Sequence, residues 1–121
     1  MANPYGGQRI NPTFITMGDA PVTPTAAQFI DGRFISDASP LGIHPFTIPD
    51  ANLLIAATPA ASPGDVFYCF IDNQLSPQSR TLTPGTGCTI TGNTNIAAGQ
   101  MARLTCMIRD TGANEVAVLR G

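Results

Sequence analysis

The chemistry that this sequence could perform depends on one histidine and three cysteines. His44 stands beside Pro45, and the sequence places no nucleophile or carboxylate to act with it, as a catalytic histidine requires. Cys69, Cys88 and Cys106 are odd in number, and their spacings fit no zinc motif. Each lies in a strand-like run, which predicts buried, reduced thiols that pack as small apolar groups. An active thiol at Cys88 is the alternative, but nothing around it indicates a low pKa.

The acidic residues are scattered rather than paired. Among the eight, Glu115 is the only Glu, and no two have the spacing of a glycosidase pair or a metal site. The sequence Gly85-Thr86-Gly87 is similar to a phosphate loop, but the Lys-Ser/Thr pair and the helix that follow such a loop are missing. A turn is therefore the better interpretation, and we predict no enzyme, no metal site and no cofactor.

The overall composition argues against several classes of protein. The 121 residues suffice for one domain with a modest core, since 43% of them are apolar. The sequence contains no basic block of the kind that binds nucleic acid. It also contains no apolar run that approaches the ~20 residues needed to span a bilayer. The N-terminal sequence MANPYGGQRINP lacks the apolar centre of a signal peptide, which indicates a protein made and kept in a cytoplasm.

All six basic residues are Arg, and there is no Lys. Compositional drift in a GC-rich genome is one explanation. The other is selection for interfaces, because the guanidinium group gives planar, directional donors.

Short runs of Thr, Ile, Leu and Val between Gly-containing turns make up the last third of the chain, Arg80 to Arg120. This pattern is typical of an antiparallel sheet. Two short helices are predicted before it, one opened by a capping box at Thr25–Gln28 and one that follows Pro49-Asp50. The predicted fold is mainly β: a compact antiparallel β-sandwich or barrel-like domain over residues 25–121, behind an extended N-terminal arm over residues 1–24.

One predicted strand, Val66 to Ile71, is apolar on both faces, which is typical of a central strand covered on both sides. Short helices or another subunit must cover its second face. The longest alternation, Met101 to Arg109, places two arginines on one side, either as an exposed polar face or as interchain ion-pair partners. From these two strands we predict that the intersubunit contacts are made by Tyr68, Phe70, Arg103, Met107 and Arg109.

The arm has two interpretations. A disordered tail is common at a terminus, but such tails are poor in aromatic and β-branched residues, which this arm contains. We therefore expect it to dock on a neighbouring subunit or a partner shell. The expected contact residues of the arm are Tyr5, Arg9, Ile10, Phe14, Ile15 and Met17.

Several motifs in fixed order resemble a module of tailed-phage virion proteins. Residues 80–93, RTLTPGTGCTITGN, and residues 95–100, NIAAGQ, are similar to its pattern TLxxGTGVTxxG…TIAAGxS. Upstream, TAAQFIDG at residues 25–32, FTIPDANLL at 46–54 and GDVFYCFIDN at 64–73 resemble its TAAQLL(x)G, LP-x-A-x-x-L and GDSFxFxIxN segments. Cys88 stands where the family often has Val.

The resemblance implies a structural role: a capsid decoration (cement) protein, or a fibre or tail module, usually trimeric. The short chain favours a decoration protein on the head surface, with the major capsid protein and two further copies of itself as partners, located in the virion after assembly in the host cytoplasm. The alternatives are a tail-fibre or receptor-binding module that binds host glycans and a small enzyme or redox protein.

Overall fold

The computed structural model describes residues 14–121, and this part of the chain forms nine strands and two helices. The strands are β1 (Phe14–Met17), β2 (Arg33–Ser36), β3 (His44–Thr47), β4 (Val66–Asp72), β5 (Arg80–Thr83), β6 (Cys88–Thr91), β7 (Asn95–Ile96), β8 (Met101–Asp110) and β9 (Glu115–Arg120). The helices are α1 (Ala26–Phe29) and α2 (Ala51–Ala57). The domain is mainly β, as predicted, with 43% strand and 10% helix.

The strands form a six-stranded sheet in the order β1-β2-β4-β8-β9-β6 and a three-stranded sheet in the order β3-β5-β7. β8 runs antiparallel to β4 and β9, but β1, β2 and β4 are parallel to one another, as are β6 and β9. The sheets are thus mixed, whereas antiparallel pairing was expected. Parallel neighbours need long crossovers, and α1 and α2 lie in the crossovers from β1 to β2 and from β2 to β4. The turn between β5 and β6 joins the two sheets instead of closing a hairpin.

The two sheets pack together around an aromatic centre. Phe34 of β2 and Phe46 of β3 meet edge to face, with ring centroids 4.9 Å apart. Phe29 of α1 lies 6.3 Å from Phe46 and 6.3 Å from Phe67 of β4. Because Phe29 belongs to this buried cluster, α1 is on the inner side of the six-stranded sheet and leaves the other side open.

The first helix begins at the predicted capping box. The Gln28 amide donates to Thr25 Oγ1 at 3.2 Å, and the Thr25 amide donates to Gln28 Oε1 at 3.0 Å. The helix has one turn and ends at Phe29. At Gly32, in the turn that follows, an added Cβ atom would clash with the carbonyl oxygen of Gln28. Only glycine fits this close approach of the backbone to itself.

The described part of the predicted arm belongs to the domain. β1 pairs in parallel with β2 at the edge of the six-stranded sheet, and Val22 bridges to Phe46 in the smaller sheet. The domain therefore begins earlier than the predicted boundary at residue 25. The apolar residues of FITM, which were expected to contact a partner, instead follow the period of a strand with one buried face. Residues 1–13 lie outside the described part of the chain.

Candidate interaction surface

The side of the six-stranded sheet that points away from the smaller sheet carries large apolar side chains and two arginines. Alternation along β4 buries Phe67, Cys69 and Ile71 and turns the residues between them outward, as predicted. We call this side the outer face; its main side chains are Phe14, Arg33, Val66, Tyr68, Phe70, Arg103, Met107 and Leu119. The exposed apolar members range from 40% for Met107 to 62% for Phe14, whereas Phe70 is half-buried.

Both arginines of the outer face lie over aromatic rings. The guanidinium carbon of Arg33 is 4.7 Å from the centroid of the Phe70 ring, and that of Arg103 is 5.6 Å from the centroid of the Tyr68 ring. The register places Arg33, Phe70 and Arg103 side by side on three neighbouring strands. Such a pair contributes about 0.5–1 kcal/mol when exposed and about 2 kcal/mol or more when water is removed. Covering this face would therefore strengthen both stacks.

The predicted intersubunit residues fall mostly on this one surface. Tyr68, Phe70, Arg103 and Met107 share the outer face through the pairing of β4 with β8. Arg109 is exposed, but it lies at the irregularity between Ile108 and Asp110 at the end of β8, so the structure does not stack it with the aromatic side chains.

The predicted arm contacts divide into three groups. Tyr5, Arg9 and Ile10 lie outside the described residues. Phe14 is exposed at the edge of the outer face. Ile15 packs against the core, and Met17 is 1% exposed inside it.

The assignment of Met17 and Ile15 to partner contacts is therefore corrected. The physical reason is the strand period, which turns alternate residues of β1 inward and leaves Phe14 and Thr16 outside.

Sequence reasoning missed Arg80, which is 2% exposed. Its Nη1 donates to the carbonyl oxygen of Ala20 at 2.8 Å and its Nη2 to that of Gly18 at 2.6 Å. Burial lowers the pKa of Arg80, while the charges of Asp19 and Asp37 act in the opposite direction. The available signal was the alternation of RTLT, which puts Arg80 on the same side as the buried Leu82.

A second feature missed from the sequence is an apolar surface on loops. β1, β2 and β4 are parallel, so the loops that follow them emerge at the same end of the sheet. Leu41 is 85% exposed, Leu75 68% and Ile43 62%, and Gln78 Nε2 joins two of these loops by donating to the Leu41 carbonyl oxygen at 3.4 Å. We call the surface formed by residues 18–20, 37–43 and 73–79 the loop end.

His44 stands at the loop end and pairs with Asp19, with 2.6 Å between Nε2 and Oδ1. This hydrogen bond is the main cause that lowers the pKa of Asp19, and a hydrogen bond with the backbone of Leu41 adds to it. The pair holds the segment after β1 against the start of β3. No group of metal-ligating side chains occurs within residues 14–121.

The three thiols are buried, as predicted. Burial raises the pKa of Cys88 to about 11, that of Cys106 to about 12, and that of Cys69 well above its usual value. The thiolate is the reactive form of cysteine. These side chains are therefore protonated at neutral pH and act as packing groups.

In the described part of the chain, neither helix is long and apolar enough to cross a membrane. Comparison with family models, with curated proteins and with solved structures finds no match to this chain. The resemblance to phage virion modules rests on the sequence motifs alone.

Proposed function

We propose that this chain is a structural virion protein: a capsid decoration (cement) protein that binds the outer surface of a phage head and stabilises contacts between subunits of the major capsid protein. The observation that carries the proposal is the exposed outer face, which indicates a protein contact. The motifs, which occur in the same order as in the phage virion modules, indicate the kind of protein. The proposal assigns no catalytic step, metal or cofactor to the chain.

The composition of the outer face supports a role in protein contacts. Tyr, Phe, Met and Arg are the residue types enriched at protein interfaces, and Lys is depleted there. The outer face presents Tyr68, Phe70, Met107 and Arg103 together, and the chain has no Lys. The two arginines of the outer face thus agree with selection for interfaces.

The size of the outer face is in the range of functional patches. Six strands spaced about 4.8 Å apart and roughly 20 Å long give an area on the order of 500 Å². The largest apolar patches on monomeric proteins are about 300–600 Å² and are often functional. One partner surface is expected to cover it.

Two kinds of partner follow from this proposal. Other copies of the chain, in a homotrimer, use the outer face through Tyr68, Phe70, Arg103 and Met107. The major capsid protein is contacted from the edge of the sheet where β1 lies, by Phe14 and by residues of the segment before it. Phe14 supports this division because its side chain is exposed at the outermost strand.

The test is addition of purified protein to phage heads that lack it. We expect co-sedimentation with the heads, saturation at a fixed number of copies per head, and greater resistance of the decorated heads to heat or chelation. Tail structures from the same particles serve as the control surface. Binding to tails but not to heads, or no binding to particles at all, would contradict the proposal.

A further inference from the structure

We propose that the outer face of one copy of this chain packs against the loop end of a second copy, so that copies join head to tail and close into a ring. This inference rests on the proposed function, because it names the surface that covers the outer face in the proposed homotrimer.

The outer face is apolar with positive charge at its centre. Arg33 and Arg103 flank Phe70 on neighbouring strands, and their guanidinium groups lie flat on aromatic rings. Two carboxylates lie at its margins: Asp72 where β4 ends, next to the loop end, and Asp31, whose Oδ1 accepts a hydrogen bond from the Tyr68 amide at 3.1 Å. A partner that covers this surface must offer apolar side chains and negative charge.

The loop end offers both. Its exposed apolar side chains are Leu41, Ile43 and Leu75. Asp19 and Asp37 stand on the same loops, and hydrogen bonds lower the pKa of each, so both are ionised at neutral pH.

The other charged groups at the loop end offset these carboxylates only in part. Arg80 lies below the loops, is buried and donates to backbone carbonyl oxygens, so its guanidinium group is not part of the surface. His44 is paired with Asp19. The surface that a partner would meet is thus apolar, with an acidic group at Asp37, which makes no ion pair among the described residues although the charge of the buried Arg80 acts on it.

Charge favours packing of the outer face on the loop end over symmetric packing of two outer faces. Packing two outer faces on each other would bring the arginines of both copies into one buried surface, and like charges brought together at an interface cost several kcal/mol. Packing the outer face on the loop end can bring Arg33 and Arg103 to carboxylates and the exposed leucines to the apolar side chains of the outer face. The second arrangement satisfies both the charge and the apolar surface.

The positions of the two surfaces favour closure. Asp72 ends β4 and opens the loop after it, so the outer face and the loop end meet at this residue instead of lying on opposite sides of the domain. Head-to-tail contacts form a ring when the rotation between copies closes and a filament when it does not. Because the two contact surfaces meet at an angle, each copy is rotated relative to the copy before it, and a ring needs such a rotation.

Three variants test the inference in solution without phage particles. The face variant is Arg103→Glu. The loop variant is Leu41→Arg together with Leu75→Arg. The control is Leu53→Arg, because Leu53 is 52% exposed on α2, whose buried residues pack on the inner side of the sheet. All the changed side chains are exposed, and thermal unfolding followed by circular dichroism checks that each variant folds.

Mass is measured by light scattering and analytical ultracentrifugation over micromolar concentrations. We expect the wild type and the Leu53→Arg control to associate alike, and the face and loop variants each to weaken association about tenfold or more. An equimolar mixture of the face and loop variants is expected to form pairs, because the native outer face of the loop variant meets the native loop end of the face variant, while the two altered surfaces that remain do not extend the pair into a ring.

The inference is overturned if the loop variant associates as the wild type does, since the loop end would then not be the partner surface. A mixture that stays at the mass of its separate components, or a wild type that remains a single chain at tens of micromolar, overturns it too. Head binding is scored separately: an associating protein that does not bind heads contradicts the proposed function alone, and a head-binding single chain contradicts the ring alone.

Discussion

Arg80 Nη2 donates a hydrogen bond to the carbonyl oxygen of Gly18 at 2.6 Å, and this contact joins the two sheets of the domain. Arg80 begins β5 in the smaller sheet, whereas Gly18 follows β1 at the edge of the larger one. A second bond, from Nη1 to Ala20, fixes the same segment. The edge strand that displays Phe14 is thus held from inside the domain.

Replacing Arg80 with Leu is expected to lower the free energy of unfolding by about 2–4 kcal/mol, because two carbonyl oxygens lose charged donors. Arg80→Lys keeps the charge but cannot donate along two fixed directions, so we expect a smaller loss. Urea denaturation measures both, with the exposed Arg109→Leu as the control, for which we expect a change within about 0.5 kcal/mol. An Arg80→Leu variant as stable as this control would show that the two Arg80 hydrogen bonds do not stabilise the domain.

The Asp19–His44 pair predicts a specific dependence of stability on pH. The pKa of Asp19 is lowered in the folded protein, so its contribution is present above its ordinary value of 3.8 and is lost as pH falls through the lowered folded value. Asp19→Asn should therefore destabilise the protein at pH 6 and have less effect near pH 3. Denaturation of wild type and variant at both pH values gives the difference. If the stability difference between wild type and Asp19→Asn is the same at both pH values, the Asp19–His44 pair is not the cause. His44→Gln is the matched variant for the other partner of the pair.

The three thiols should not react with a thiol reagent such as dithionitrobenzoate at pH 8 while the protein is folded. Burial raises the pKa of Cys88 to about 11 and that of Cys106 to about 12, so little thiolate is present, and access is blocked as well. In guanidinium chloride all three cysteines should react at once. Prompt reaction of one thiol in the folded protein would instead support a redox role.

Substitutions at two residues of β1 should affect different properties: stability at Met17 and head binding at Phe14. Met17→Ala removes a core side chain and is expected to cost about 2–5 kcal/mol of stability. Phe14→Asp changes an exposed side chain, so we expect little change in stability and a loss of head binding. Denaturation and co-sedimentation separate the two effects. If Phe14→Asp binds heads as the wild type does, the edge of the outer face is not the capsid contact.

The features that the sequence predicted correctly are local ones. The capping box at Thr25, the inward and outward residues of Val66 to Ile71, and the buried cysteines each depend on neighbours within a few positions. Spacing is enough to predict such features, because the periods of strand and helix decide which side chains share a face.

The features that it missed depend on distant parts of the chain. Parallel pairing of β6 with β9 and of β3 with β5 follows from how the crossovers pack, and no turn signal encodes it. Arg80 is buried because carbonyl oxygens 60 and 62 positions away reach it. Exposure of Leu41 and Leu75 follows from where the loops of parallel strands emerge. The alternation of RTLT indicates which side Arg80 faces, but its hydrogen-bond partners, the parallel pairing and the exposed loops are not visible in a window of a few residues.

The most direct test of the account is a cryo-EM reconstruction of heads that lack this chain, before and after addition of the purified protein. If the chain is a capsid decoration protein, we expect new density on the outer surface of the head between subunits of the major capsid protein, fitted by copies of this β domain with the edge strand β1 toward the shell. Unchanged heads, or density confined to the tail, would contradict the claim that the chain is a capsid decoration protein.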